Sequence, residues 1–264
     1  MAQDNSSTNL GPPIITADDS LTAYSPTYHE TFHSVQGAQE ECEVIFFQAS
    51  KIQEKWQAQR NNFTPCKMLE VGFGLGLNWQ TLQHHWQELA PAGCVPNLVQ
   101  YHTLEKDTSL IQTTTLKLKL AAQWRQVSPQ LGHWFFSQTL GGKTLELFIW
   151  PGDARQVISQ IEQFLTPCQA VWQDAFSPRH NHELWTWQWF KQVTKICAPD
   201  ALLVTYSSAT PVRLAMQKAG FKVAARAATQ SKKSSTIAAL EGIDDPQLAA
   251  KLAATKLKAY DDND

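Results

Sequence analysis

A short apolar segment at 66–71 runs straight into Gly72-Phe73-Gly74-Leu75-Gly76, and from there into a stretch of helical period over 75–89. Glycine at alternate positions lets the backbone turn sharply and approach a ligand with no Cβ in the way. The helix that follows presents free N–H groups to a polar or anionic partner. The same strand-then-helix rhythm continues downstream. Apolar runs at 98–104, 145–150, 170–173, 201–206, 221–225 and 235–240 alternate with helical patterns at 108–124, 154–164, 183–197 and 211–219. Leu140-Gly141-Gly142-Lys143, after the apolar run 134–136, reads as a tight hairpin turn. The pattern predicts an α/β fold with a mostly parallel seven-stranded sheet covered by helices on both faces. Ligands of such sheets bind at the carboxyl ends of the strands.

The rest of the chain is organised around that unit. Residues 1–22 are polar and read as a disordered tail, and 23–60 as an N-terminal extension in which the aromatic and β-branched run 42–47 suggests a strand or hairpin. Residues 61–245 form the main domain, and 246–264 a C-terminal helix with an acidic tail. No run of about 20 apolar residues offers a membrane span, and the start lacks the basic and apolar segments of a signal peptide. Five cysteines with no CxxC pair read as free thiols, with no metal site, in a reducing, cytoplasmic setting. Charge is uneven: residues 1–60 hold eight acids and three bases, residues 210–260 nine bases and three acids. Polarity of this kind marks either a nucleic-acid face or an ordinary solvated surface.

Acidic residues sit at the strand ends. Glu70, just before the glycines, suits a ligand amine and would repel a pyrophosphate. Glu105, at the end of the second strand, is where a ribose diol would be held, and Asp107 beside it suits a helix N-cap. Asp153 suits both a helix cap and an adenine amino group. Asp174-Ala175-Phe176-Ser177-Pro178 ends the fourth strand. A carboxylate there can accept an N–H bond from an amine, aim its lone pair, and stabilise charge growing on nitrogen. The glycine run is GxGxG, and Leu77 stands where a dinucleotide fingerprint needs a small residue. With Glu70, that disfavours a nicotinamide dehydrogenase, and no second GxGxxG is present for FAD.

These strand ends, in this order, resemble the tRNA 5-methylaminomethyl-2-thiouridine methyltransferase family, which occurs alone or as the N-terminal domain of a bifunctional protein. The segments that carry the resemblance are 28–46 with Gly37 and Glu40, 69–78, Gly152-Asp153-Ala154, 174–178 with Asn181 and Leu184-Trp185, and Val212-Arg213 with Ala219-Gly220-Phe221. The resemblance implies a Rossmann-like class I methyltransferase fold. It also implies methyl transfer from S-adenosylmethionine to the aminomethyl nitrogen of 5-aminomethyl-2-thiouridine at the wobble position of tRNA. It places Glu70, Gly72, Phe73, Gly74, Gly76, Asn78, Glu105, Asp153 and Ala154 at the cofactor and Asp174 at the reacting amine. Phe176, Pro178, Asn181, Trp185, Arg213, Lys232 and Lys233 would meet the substrate. Two departures are visible. Lys232-Lys233-Ser234 lacks the acid of the family's basic run, and the flavin-dependent oxidase half is absent, so no FAD is expected. A single-activity enzyme and an isolated domain both stay open, and a separate enzyme could supply the aminomethyl precursor. From the residues alone two other readings stay open: a methyl or aminopropyl transferase acting on a small free amine, and a catalytically silent Rossmann-like binding subunit.

Overall fold

The computed structural model describes residues 10–226 and 234–264. Strands β1 (Pro13–Ile15), β2 (Leu21–Ser25) and β3 (Glu30–Thr31) form a small antiparallel sheet. Helix α1 (Ala38–Glu41) passes directly into a π-helical segment, Cys42–Gln48, and α2 (Ile52–Gln59) follows. The main unit comprises β4 (Cys66–Val71), α3 (Leu77–Leu89), β5 (Leu98–Glu105), α4 (Thr108–Lys117), β6 (Gln123–Ser128), β7 (Leu131–Leu140), β8 (Lys143–Pro151), α5 (Ala154–Leu165), β9 (Cys168–Gln173), α6 (Trp187–Ile196), β10 (Cys197–Thr205), α7 (Thr210–Ala219), β11 (Lys222–Arg226), β12 (Ser235–Ala239) and α8 (Pro246–Ala254).

Among the described residues the large sheet has nine strands in the order β11-β12-β10-β9-β4-β5-β8-β7-β6. Its centre, β10-β9-β4-β5-β8, is parallel, and both edges are antiparallel. The seven strands read from the sequence are β11 through β8 in this order. The hairpin β6–β7 lengthens the sheet by two. The helix expected over 108–124 stops at Lys117, and Trp124 lies instead on edge strand β6, opposite Trp134 on β7. Indole edge meets indole face there at 5.7 Å, a cross-strand contact that a helix could not provide. The Gly141–Gly142 turn has φ of 58° and 74°, the left-handed pair a two-residue hairpin demands.

Alternate residues of β4 point to opposite faces. Leu69 and Val71 enter one core layer with Trp150, Ile158, Trp189 and Leu203. Cys66 and Met68 enter the other with Trp79, Tyr101 and Trp172. Glu70 falls on the second face, a carboxyl within an apolar layer.

Three parts of the extension and tail differ from the sequence reading. The run 42–47, expected as a strand, is helical. Its side chains Ile45, Phe46 and Phe47 are buried in the layer with Trp56 and Trp79, and packing overrides β-propensity. The tail expected to be disordered through residue 22 contains β1, paired in register with β2, over residues 13–15. Of the segment 246–264, read as a C-terminal helix with an acidic tail, only Pro246–Ala254 is helical. The acidic end is docked: Asp261 Oδ2 accepts from Trp187 Nε1 at 2.6 Å and pairs with Lys218 at 3.5 Å, and Asp262 pairs with Arg155. Among the described residues, no helix is long and apolar enough to cross a membrane.

Candidate active site

The carboxyl ends of β4, β5, β8 and β9 converge on a narrow cleft. Gly72, Phe73, Gly74, Glu105, Lys106, Gly152, Asp153, Ala154 and Asp174 line it, and Tyr28 and Phe32 of the extension close it from above. Gly72 has φ of 97°, and a Cβ there would stand 2.8 Å from the carbonyl oxygen of Asp174. The loop is therefore pressed against the tip of the neighbouring strand and leaves bare backbone along the cleft. Glu105 steadies it: its Oε2 accepts from Gly74 N at 3.0 Å, and its Oε1 from Asp107 N at 2.9 Å. Burial raises the Glu105 pKa. Each oxygen keeps a second lone pair, the requirement for accepting from a diol. Asp107 caps α4. Asp153 caps α5 through Arg155 N at 3.1 Å and pairs with Lys106 at 3.3 Å, and it lines the cleft as well.

The lining of the cleft suits S-adenosylmethionine in its chemistry. It offers bare glycine backbone at the bend, carboxylates at Glu105 and Asp153, and the apolar walls Val71, Leu104, Ala154 and Leu184.

Asp174 stands at the junction of this cleft with a second cavity of about 290 Å³. That cavity is bounded by Glu30, Thr31, Phe32, His33, Glu41, Phe176 and Tyr206. Its character is acidic. Burial, and then the charges of Asp174, Glu30 and Glu41, raise the Tyr206 phenol well above its ordinary pKa. The loop between the cavities is held from several sides. Glu30 Oε2 accepts from Ser177 N at 3.0 Å, Tyr206 Oη donates to Ala175 O at 2.8 Å, and Trp185 Nε1 donates to Phe176 O at 2.7 Å. The Phe176 ring stacks on Tyr28 at 4.2 Å and meets Phe32 at 5.1 Å.

The expected residues thus divide. Gly72, Phe73, Gly74, Glu105, Asp153, Ala154, Asp174, Phe176 and Asn181 lie together on the cleft. Besides Glu70, five described residues expected to meet a ligand lie elsewhere. Gly76 is behind the loop as the N-cap of α3, facing Leu118 and Thr114. Asn78 is buried, its Nδ2 donating to Asp174 Oδ2 at 2.7 Å. Pro178 is outside both cavities. Trp185 is fully buried and acts on the cleft only through the Phe176 carbonyl. Arg213 is buried, with its guanidinium bound to Thr236 Oγ1 at 2.9 Å and to Ser234 Oγ and Ser235 O at 3.0 Å, so it braces α7 against β12. Lys232 and Lys233 lie outside the described residues.

Glu70 is also displaced from its expected place. It is fully buried and absent from the cleft lining, sealed beneath the glycine loop. Neither oxygen has a well-aligned hydrogen-bond partner, although Thr103, Asn78 and Tyr101 lie close enough to interact. Burial dominates and pushes its pKa up to about 8. The folded protein therefore keeps a proton that the unfolded chain releases above its ordinary value of 4.5. Stability falls as pH rises from that value and levels off above about 8. Glu70→Gln, neutral at every pH, is expected to match the wild type in acid. It should become progressively more stable than the wild type towards pH 7, by roughly 3 kcal/mol there. Urea midpoints of the two proteins across that range test this, and a constant difference between them counts against a neutral Glu70.

Sequence reasoning passed over Tyr28, Phe32, His33, Glu30 and Tyr206. The first four lie in the 28–46 segment and Tyr206 ends the apolar run 201–206, but neither pattern has a period that shows which side chains face a cavity.

A family described as S-adenosyl-L-methionine-dependent methyltransferase matches residues 116–241. The tRNA 5-methylaminomethyl-2-thiouridine biosynthesis bifunctional protein MnmC of Burkholderia vietnamiensis is 29% identical over 224 residues, 80% of this chain and 32% of that protein. The protein of the same name from Cupriavidus necator is 27% identical over 258 residues, 94% of this chain and 36% of that protein. The chain thus spans about a third of the length of the curated relatives it matches. The crystal structure of MNMC2 from Aquifex aeolicus superposes with a TM-score of 0.73 at 27% identity, covering 97% of this chain and 79% of that one. In sequence the chain is similar to about a third of the bifunctional MnmC proteins, and in fold to MNMC2.

Proposed function

We propose that this S-adenosylmethionine-dependent methyltransferase methylates the aminomethyl nitrogen of 5-aminomethyl-2-thiouridine at the wobble position of tRNA. One observation carries the reading: Asp174 borders both the glycine-lined cleft and an acidic cavity beside it. When bound, the cofactor supplies an electrophilic methyl group. Glu105 would accept from its ribose hydroxyls, Asp153 and Ala154 would border its adenine, and Gly72 and Gly74 would allow its close approach. The amine would enter from the second cavity. Asp174 Oδ1 would accept one of its N–H bonds, aim the lone pair at the methyl carbon and stabilise the charge that forms on nitrogen. Phe176, Tyr28 and Phe32 would exclude water and offer ring faces to an extruded base, as enzymes that modify bases require. Glu30 and Glu41 would favour a cationic or amine-bearing base over an unmodified uridine. Arg213 takes no part in RNA contact in this reading; Lys232 and Lys233 remain as phosphate contacts. The names of the relatives support the tRNA substrate, and a cytoplasmic setting accords with it.

The test is transfer of labelled methyl from S-adenosylmethionine to tRNA isolated from cells that lack the activity. Label on the wobble uridine supports the reading; label on a free amine in preference to tRNA overturns it. Affinity for tRNA is expected to fall steeply with salt, with a log–log slope of several units, because phosphate contacts release counterions. A flat dependence in filter binding would point to a small-molecule substrate.

A further inference from the structure

Asn78 connects the helix that follows the glycine loop to the tip of β9. With its Nδ2 on Asp174, its Oδ1 faces away from the cleft, buried and without a donor. Glu70 lies beneath it, fully buried, with two oxygens in the same condition. The hydroxyls of Thr103 and Tyr101 on β5 complete the group and are likewise unpaired. Thr103 stands directly opposite Glu70 in the strand register, and Tyr101 opposite Met68. An amide oxygen only accepts, and an ionised carboxylate only accepts. Two such acceptors, buried in one dry layer with no donor, would each lose hydration with no return. A protonated carboxyl resolves the conflict, because it donates from one oxygen while the other accepts from Thr103 or Tyr101.

We propose that Glu70 is a positioning residue for the methyl transfer: its neutral carboxyl donates to Asn78 Oδ1 and thereby fixes the amide with its NH2 group on Asp174. Ionised Glu70 would attract the NH2 group instead. The amide would then turn over and present its oxygen to Asp174, repelling the carboxylate that faces the amine. The titratable groups that interact with Glu70 are the carboxylate of Glu105, the phenol of Tyr101 and the thiol of Cys42. Burial is the largest influence and favours the neutral form, hydrogen bonding from Thr103, Asn78 and Tyr101 opposes it, and Glu105 adds a smaller push towards neutrality.

The inference rests on the reading that Asp174 faces the reacting amine, and two measurements separate the two. The first needs no turnover. Carbon-13 NMR of the glutamate-labelled, cofactor-free protein, with Glu70→Gln to assign the signal, should show Glu70 protonated at neutral pH and titrating near 8. An ionised Glu70 at neutral pH overturns the proposal. The second is the pH profile of kcat with tRNA. The wild type should lose turnover above about pH 8. Glu70→Gln, which donates at every pH, should lack that alkaline limb, whereas Glu70→Leu should lose about tenfold or more in kcat with little change in cofactor affinity. Equal losses in the Gln and Leu variants, or an alkaline limb retained in the Gln variant, overturn the relay. Neutral Glu70 in the NMR experiment, with no tRNA methylation by the wild type, would instead overturn the substrate reading.

Discussion

Asp174→Asn is expected to lower methyl transfer by about 10²- to 10⁴-fold, the range for losing a positioned acid–base or charge-stabilising group, while S-adenosylmethionine binds within about threefold of wild type. Asparagine has the size of aspartate, and its Oδ1 can still accept from Asn78, so the loop 174–178 should hold its shape. What disappears is the charge that orients the amine and stabilises the ammonium product. The cofactor should notice little, because its proposed contacts lie on Gly72, Gly74, Glu105 and Asp153, away from the carboxylate of Asp174. Asp174→Ala should be equally inactive and also less stable, since it strands the buried Asn78 amide. Calorimetric titration of the cofactor and labelled transfer to tRNA check both halves. A variant that turns over normally would remove Asp174 from the chemistry. One that no longer binds cofactor would move it into the cofactor site.

The parallel centre of the sheet was legible because each strand is apolar on both faces and each is followed by a helical period. The carboxylates at the strand tips were legible for the same reason: Glu105, Asp153 and Asp174 are the first acids after those runs, and all three line the cleft. What failed to show was orientation. Glu70 and Gly76 belong to the same motif as Gly72 and Gly74, yet one points below the loop and the other behind it. A run of alternating residues at a bend says which are close to a ligand only once the bend is built. Trp185 and Arg213 misled in another way. A buried indole N–H and a buried guanidinium both need acceptors, and the protein's own carbonyls and hydroxyls supply them. The second cavity was illegible because Glu30 and Phe32 lie far from Tyr206 in the chain and meet it only when the extension closes over the sheet.

Gly72→Ala is expected to be the most damaging substitution that removes no functional group. Two costs combine there. The φ of 97° lies outside the region an alanine adopts without strain. The added methyl would also stand 2.8 Å from the backbone oxygen of Asp174, which cannot swing away as a side-chain end could. Relief requires β4 and β9 to part at their tips, and that moves Asp174 away from the cleft. The expected loss is about 3 kcal/mol or more of stability, with a fall in turnover well beyond that loss, because a misplacement of about 1 Å at a reacting group can cost about a hundredfold. Gly142→Ala separates the two causes. Its φ of 74° is also left-handed, but nothing lies within 4 Å of the new Cβ. It should therefore show the strain alone, about 1 kcal/mol, and unchanged methyl transfer. Denaturant midpoints and turnover of both variants decide the matter. If Gly72→Ala behaves like Gly142→Ala, the two strand tips are not held against each other. The close approach would then be incidental to how Asp174 is placed.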